Sequence, residues 1–168
     1  MPIIKQTIIL LFLAMSLTPL NAQEIKKIAK FKDWETIVVT SETAKLCFAQ
    51  SKPVLQSPKN NAREARLFIS FRPNEKITDE VSITSGYEYN VQNTILAKSG
   101  KNKIKFDISK DNFAWITNNK IEKKMIGVMK KGSRIMITGY NESGSQTIDH
   151  YSLMGFTKAY NSAKKNCS

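Results

Sequence analysis

Apolar positions fall into one unbroken run near the N-terminus, Ile8 to Ala14, followed by many short segments whose spacing changes along the chain. Trp34 to Val39 is rich in β-branched residues and reads as a strand, and Leu46 to Ala49 as a shorter one. Lys52 to Asn61, with two prolines, reads as a loop. From Arg66 to Phe71 the pattern alternates, with Leu67, Ile69 and Phe71 on one side and Phe68 and Ser70 on the other, until Arg72-Pro73-Asn74 stops it. Val81 to Thr84 continues the series. Asn93 to Lys98 and Lys103 to Ile108 predict a hairpin about Ser99-Gly100-Lys101-Asn102, with Ile104, Phe106 and Ile108 facing inward. The period then lengthens. Ile121, Met125, Val128 and Met129 form a helical stripe ended by Gly132, with Lys123, Lys124, Lys130 and Lys131 off it. Alternation returns at Arg134 to Gly139 and at Gln146 to Leu153, and Phe156, Ala159, Tyr160 and Ala163 outline a short terminal helix. Short strands divided by turns, without a repeated β-α-β order, predict a mainly β fold. The expected architecture is an antiparallel β-sandwich or barrel-like domain with one or two short helices.

The early apolar run has the shape of a secretory leader. Lys5 gives the positive start, Ile8 to Ala14 the apolar core, and Pro19 with Ala22 a cleavage site. The run falls short of the about 20 apolar residues a membrane span needs, although an uncleaved N-terminal anchor is the competing reading. The expected organisation is a signal peptide over 1–22 and a single β-rich domain over 23–168, exported to the periplasm or cell surface. In such an oxidising compartment the two cysteines, Cys47 and Cys167, are expected to form one bridge. His150 is the sole histidine, so a metal site of the usual His/Cys kind lacks ligands, and no metal or cofactor is expected.

Charge adds a further constraint. The formal net charge is +12, and +11 once Lys5 leaves with the leader; only Arg63, Arg66, Arg72 and Arg134 are arginines. A lysine excess suits diffuse attraction to an anionic surface more than a bidentate phosphate clamp, though AT-rich coding gives the same bias. The positions available for contact with such a surface are Lys101, Lys103, Lys105, Lys123, Lys124, Lys130 and Lys131. Nucleic acid is a poor partner, because export removes the chain from it and no RNP-like Gly-Phe-x-Phe run is present.

Enzymatic machinery is hard to assemble from these residues. His150 is the one candidate base, and Asp149 beside it points to the opposite face on a strand; no Gly-x-Ser-x-Gly elbow is present. Asp79-Glu80 and Asp107 with Asp111 could supply paired carboxylates, but they fall at turns and hairpin ends. Trp34 and Trp115 read as core anchors, and Tyr87 and Tyr151 as half-buried rings with hydroxyl partners; an exposed aromatic recognition patch is the functional alternative.

Several segments together resemble one family. They are Asp33-Trp34, Cys47-Phe48-Ala49, Phe71-Arg72-Pro73, Asp79-Glu80-Val81-Ser82-Ile83 and Gly86-Tyr87-Glu88-Tyr89. Ala114-Trp115, Met129-Lys130-Lys131-Gly132 and Thr147 through Phe156 continue the series, with Ala159 and Cys167 after them. In order and spacing the chain resembles the invasion-associated locus B family of alphaproteobacterial exported proteins. The resemblance implies a periplasmic or surface protein, associated in some pathogens with entry into host cells, and carries over no catalytic residues. Two departures stand out. Ser143-Gly144-Ser145 replaces a common Arg-Gly-Thr turn, and Val38-Val39-Thr40 lies where many members have a cysteine.

The expected role is a non-enzymatic interaction module in the envelope, meeting an anionic surface or another protein, with peripheral membrane contact possible. The alternatives are a periplasmic hydrolase and an inhibitor or chaperone-like accessory factor. Intact mass of the exported protein is expected to correspond to a chain beginning at Gln23; a membrane-bound form retaining residues 1–22 overturns the leader reading.

Overall fold

Alternating strands hydrogen-bonded side by side give a sheet with one dry and one wet face. In the computed structural model, which describes residues 23–168, this happens twice; the leader read over residues 1–22 lies outside the described residues. The first sheet has seven strands: β1 (Glu24–Phe31), β2 (Trp34–Thr40), β3 (Lys45–Ser51), β5 (Arg66–Arg72), β6 (Ile77–Thr84), β10 (Phe113–Trp115) and β9 (Ile108–Lys110), in that spatial order. The second has five: β4 (Leu55–Ser57), β12 (Gln146–Ser152), β11 (Arg134–Tyr140), β7 (Leu96–Ser99) and β8 (Asn102–Lys105). All pairings are antiparallel and neither sheet closes on itself, so the fold is sandwich-like rather than a barrel. Two helices complete it, α1 (Asn119–Lys131) and α2 (Phe156–Asn166).

The core follows the alternation. Trp34, Cys47, Ala49, Leu67, Ile69, Val81, Ile83 and Ala114 point inward from the first sheet, and Ala97, Ile104, Ile135, Ile137 and Tyr151 from the second. Helix α2 lies on the inner side of β2 and β3. Its Phe156 meets the Trp34 ring edge-on at 4.8 Å, and its Tyr160 meets Phe71 at 5.6 Å. Thr36 Oγ1 donates to the Ala159 carbonyl at 3.0 Å, and Trp34 Nε1 donates to the Ser152 carbonyl at 2.8 Å. The Cys47–Cys167 disulfide, with Cα atoms 5.8 Å apart, ties the end of α2 to β3. It closes a loop across 120 positions; restricting the unfolded chain in this way commonly stabilises by about 2–4 kcal/mol.

A second tie is polar. Arg63 and Asp149 form a bidentate pair, Nη2 to Oδ1 at 2.7 Å and Nη1 to Oδ2 at 3.0 Å, with both side chains buried. Gln56 donates to Asp149 Oδ1 and accepts the Arg63 amide, and the guanidinium lies 5.7 Å from the Tyr87 ring centre. The pair fastens the segment between β4 and β5 to β12. Removing one partner of such a pair typically costs about 3–5 kcal/mol, because the other charge is left buried alone.

Several expectations change. β1 forms although Ile25 and Ile28 are exposed: it is an edge strand made by backbone pairing, with a bulge between Lys27 and Ala29. β4 lies inside the segment read as a loop, recruited by pairing with β12. Ile108 was expected inward but is 53% exposed, because the chain leaves the second sheet after β8 and enters the first as β9. Trp115 is not a core anchor: it stacks on Phe113 at 5.8 Å on the outer face of the first sheet. In α1 the buried face carries Glu122, Met125, Ile126 and Met129, whereas Ile121 is exposed. Tyr151 is fully buried rather than half-buried, while Tyr87 does find its partner, Thr147 Oγ1 at 2.6 Å.

Gly155 begins α2 with φ +94, and a Cβ there would lie 1.8 Å from the Phe31 carbonyl oxygen. Backbone cannot withdraw cheaply from that contact. Gly155→Ala is therefore expected to destabilise by at least about 3 kcal/mol, read as a loss in the denaturation midpoint; an unchanged midpoint refutes this account of how α2 is seated.

Candidate functional site

The lysine-rich helix α1 begins at Asn118, whose Oδ1 accepts from the amides of Lys120 (2.9 Å) and Ile121 (3.3 Å). Burial of Met125 and Met129 fixes its rotation, and Gly132 ends it, its N–H donating a hydrogen bond to the Val128 carbonyl. Lys130 and Lys131 in the last turn suit the negative end of the helix dipole. Beside this end lies the β7–β8 turn, where Gly100 has φ +55. Ser99 Oγ donates to the Arg134 carbonyl at 2.8 Å, which holds the turn against the start of β11.

Between helix and turn runs an open groove of about 800 Å³, lined by Ser99, Asn102, Lys124, Val128, Lys131 and Arg134, among others. Among the described residues three cations line it and no carboxylate does. None of Lys124, Lys131 and Arg134 forms an ion pair among the described residues. Lys101 sits on the turn between the lining residues Gly100 and Asn102. On the outer face of the second sheet, Lys98 and Lys103 stand directly opposite each other, with Lys105 two residues on, opposite Leu96. Like charges in such register repel, and a bound anion relieves that repulsion.

The seven lysines named from sequence thus divide. Lys124 and Lys131 line the groove, Lys101 lies on the adjoining β7–β8 turn without lining it, and Lys103 and Lys105 extend the basic surface along β8. Lys123 does not line the groove. Lys130 is on another side of α1, its Nζ 3.9 Å from the centre of the Tyr160 ring, a cation–π contact that commits it to α2. The Tyr160 hydroxyl donates to Asp79 at 2.6 Å; burial and that carboxylate hold the phenol well above its usual range. Arg134 and Lys98 were missed as contact residues. A helix-to-hairpin approach between residues far apart in sequence gives no local signal, although the β7–β8 alternation already placed Lys98 beside Lys103.

His150 and Asp149 do diverge. Asp149 is buried under Arg63, whereas His150 lies in register with Leu55 and Met136 on the other face of the sheet. No base–acid couple forms there. Glu80 is engaged by both Arg72 nitrogens at 2.7 Å. Glu122 accepts the Val81 amide at 2.9 Å, and burial raises its carboxyl above the ordinary value.

Gly127 forms part of the groove wall, and a Cβ there meets nothing within 4 Å. Gly127→Ala is accordingly expected to stabilise by about 1 kcal/mol through helix propensity alone, measured by chemical denaturation. A destabilised variant would mean that the backbone at Gly127 is held in a way the open groove does not explain.

No curated protein and no solved structure matches the chain. A family model does: the order of strands and helices from the Trp34 anchor into the last turn of α2 is spanned by the model described as invasion associated locus B (IalB) protein, matched over residues 34–164, and the chain belongs to that family.

Proposed function

We propose that the protein is an exported envelope component that acts as a non-enzymatic interaction module, holding itself against an anionic surface through the basic groove and the adjoining face of β7 and β8. The observation that carries this reading is the groove itself: Lys124, Lys131 and Arg134 converge on one depression without a carboxylate in its lining. An open depression lined by exposed lysines fits a multivalent anion, such as a lipid headgroup array or an acidic polymer, better than one small molecule held in a closed site. The Cys47–Cys167 bridge supports an extracytoplasmic location, since such bonds persist in oxidising compartments. Membership of the invasion associated locus B family agrees with export as read from the leader.

Exposed charges act over about 8 Å at physiological ionic strength, so attachment is reversible and salt-sensitive. Juxtamembrane basic residues contribute about 1 kcal/mol each at an anionic leaflet. Replacing Lys124, Lys131 and Arg134 together by glutamine is expected to weaken binding to phosphatidylglycerol-containing vesicles by about 3 kcal/mol, roughly a hundredfold. Co-sedimentation at low and high salt measures it, with neutral vesicles as reference. Equal pelleting with neutral and anionic vesicles, or undiminished pelleting of the triple variant, refutes the proposal.

A further inference from the structure

The outer face of the seven-stranded sheet differs in kind from the basic side. Four rings cross it from β3 to β10: Phe48 packs on Phe68 at 5.8 Å, Phe68 on Phe113 at 6.0 Å, and Phe113 on Trp115 at 5.8 Å. They all point away from the core, in register with the short polar side chains Ser70 and Ser82 and with Gln50. An aromatic strip on the outside of a sandwich contributes nothing to the space between its sheets, so core packing does not account for it. At its end the strip opens into a cleft of about 570 Å³ beside Trp115, within the size range of small-ligand sites.

The polar lining of that cleft is ordered in advance. Arg72 grips Glu80 with two parallel bonds of 2.7 Å and also bonds Glu75 at 3.0 Å. The Glu80 oxygens keep lone pairs beyond those bonds, so the locked pair offers fixed acceptors beside a fixed cation. Glu122 reaches the same cleft from α1, one carboxylate oxygen on the Val81 amide and the other not used in that bond; Asn119 adds an amide, with both a donor and an acceptor. Ile108, 53% exposed and in register with Trp115 across β9 and β10, extends the apolar wall.

We propose that this cleft binds a hexopyranose glycan chain, with Trp115 as the stacking platform. A pyranose has an apolar C–H face and a rim of adjacent hydroxyls, each both donor and acceptor. The indole offers a flat apolar surface to the first, and the Arg72–Glu80 pair with Asn119 and Glu122 offers alternating acceptors and donors to the second. The Arg72–Glu80 pair neutralises itself, while Lys76 and Lys110 add exposed positive charge to the cleft's lining that high salt screens. Holding the pair rigid before binding removes an ordering cost from association. The Phe113, Phe68 and Phe48 rings carry the platform across the sheet, which suits an extended chain rather than a single sugar. This site is independent of the basic groove.

The two tryptophans make the test direct. Trp34 has no exposed surface and its N–H is already bonded to Ser152, so a ligand-induced change in indole emission reports Trp115. The probes are chitotetraose, cellotetraose and lipopolysaccharide core oligosaccharide by titration, with purified sacculi by pull-down to separate peptidoglycan from other glycan sources. All are run in 1 M salt, where the screening length is about 3 Å and lysine-mediated attraction is suppressed. A saturable blue shift with at least one soluble glycan, or salt-resistant retention on sacculi, is the expected result. Trp115→Ala should weaken it by about tenfold or more, as loss of an aromatic anchor does. Ile108→Asp, a change at an exposed position that leaves the core untouched, should weaken it as well and serves if Trp115→Ala does not fold. The glutamine triple variant of Lys124, Lys131 and Arg134 should bind the glycan normally, whatever happens to its vesicle binding. No response to any probe, or full binding by Ile108→Asp and a folded Trp115→Ala, overturns the proposal.

Discussion

The seating of α2 against the inner side of β2 and β3 is the constraint on which the rest of the molecule depends. Two twisted sheets of unequal width cannot cover each other completely, and the uncovered part of the larger sheet carries Trp34, Thr36 and Cys47. Helix α2 answers each: Phe156 meets the Trp34 ring, the Ala159 carbonyl accepts from Thr36, and Cys167 bonds to Cys47. The approach is so close that Gly155 touches the Phe31 carbonyl and admits no side chain. With α2 in place, Tyr160 is held against Phe71 and beneath Lys130, which couples α2 to α1 and so orients the helix that supplies the basic groove.

From this frame the two outer surfaces diverge. On the side of the second sheet and α1, unpaired lysines and Arg134 accumulate without carboxylates among them. On the outer face of the first sheet, carboxylates pair with cations, as in Arg72–Glu80 and Lys27–Glu35, and rings line up across strands. A long-range field suits capture of a charged surface, whereas ordered short-range groups beside an aromatic plate suit recognition of a neutral one. A protein with both can be concentrated at a surface by one and oriented on it by the other.

Much of the fold was legible because period-two and helical patterns are local. Leu67, Ile69 and Phe71 do line the core, as do Phe156, Ala159, Tyr160 and Ala163, and Ile104 and Phe106 face inward. The expectation failed where an element's partner, not its own pattern, decides. β1 and β4 exist through backbone pairing with β2 and β12, which side-chain periodicity does not report. The rotation of α1 was misread because Glu122, a charged residue, takes a buried place by accepting the Val81 amide, while Ile121 is left outside.

By itself the sequence determined the class of the fold, the terminal helix, the separation of His150 from Asp149 and the family, since each rests on short-range pattern or on residue order. Only the tertiary structure decided which charges act together and which rings are exposed. Arg134 joins Lys124 and Lys131 because α1 returns beside the β7–β8 turn. Trp115 lies outside because β10 pairs with β6 and β9 with its ring on the solvent side, and alternation alone does not say which side that is. A strand's pattern divides its residues into two faces, but which face is dry is set by the layer that covers it.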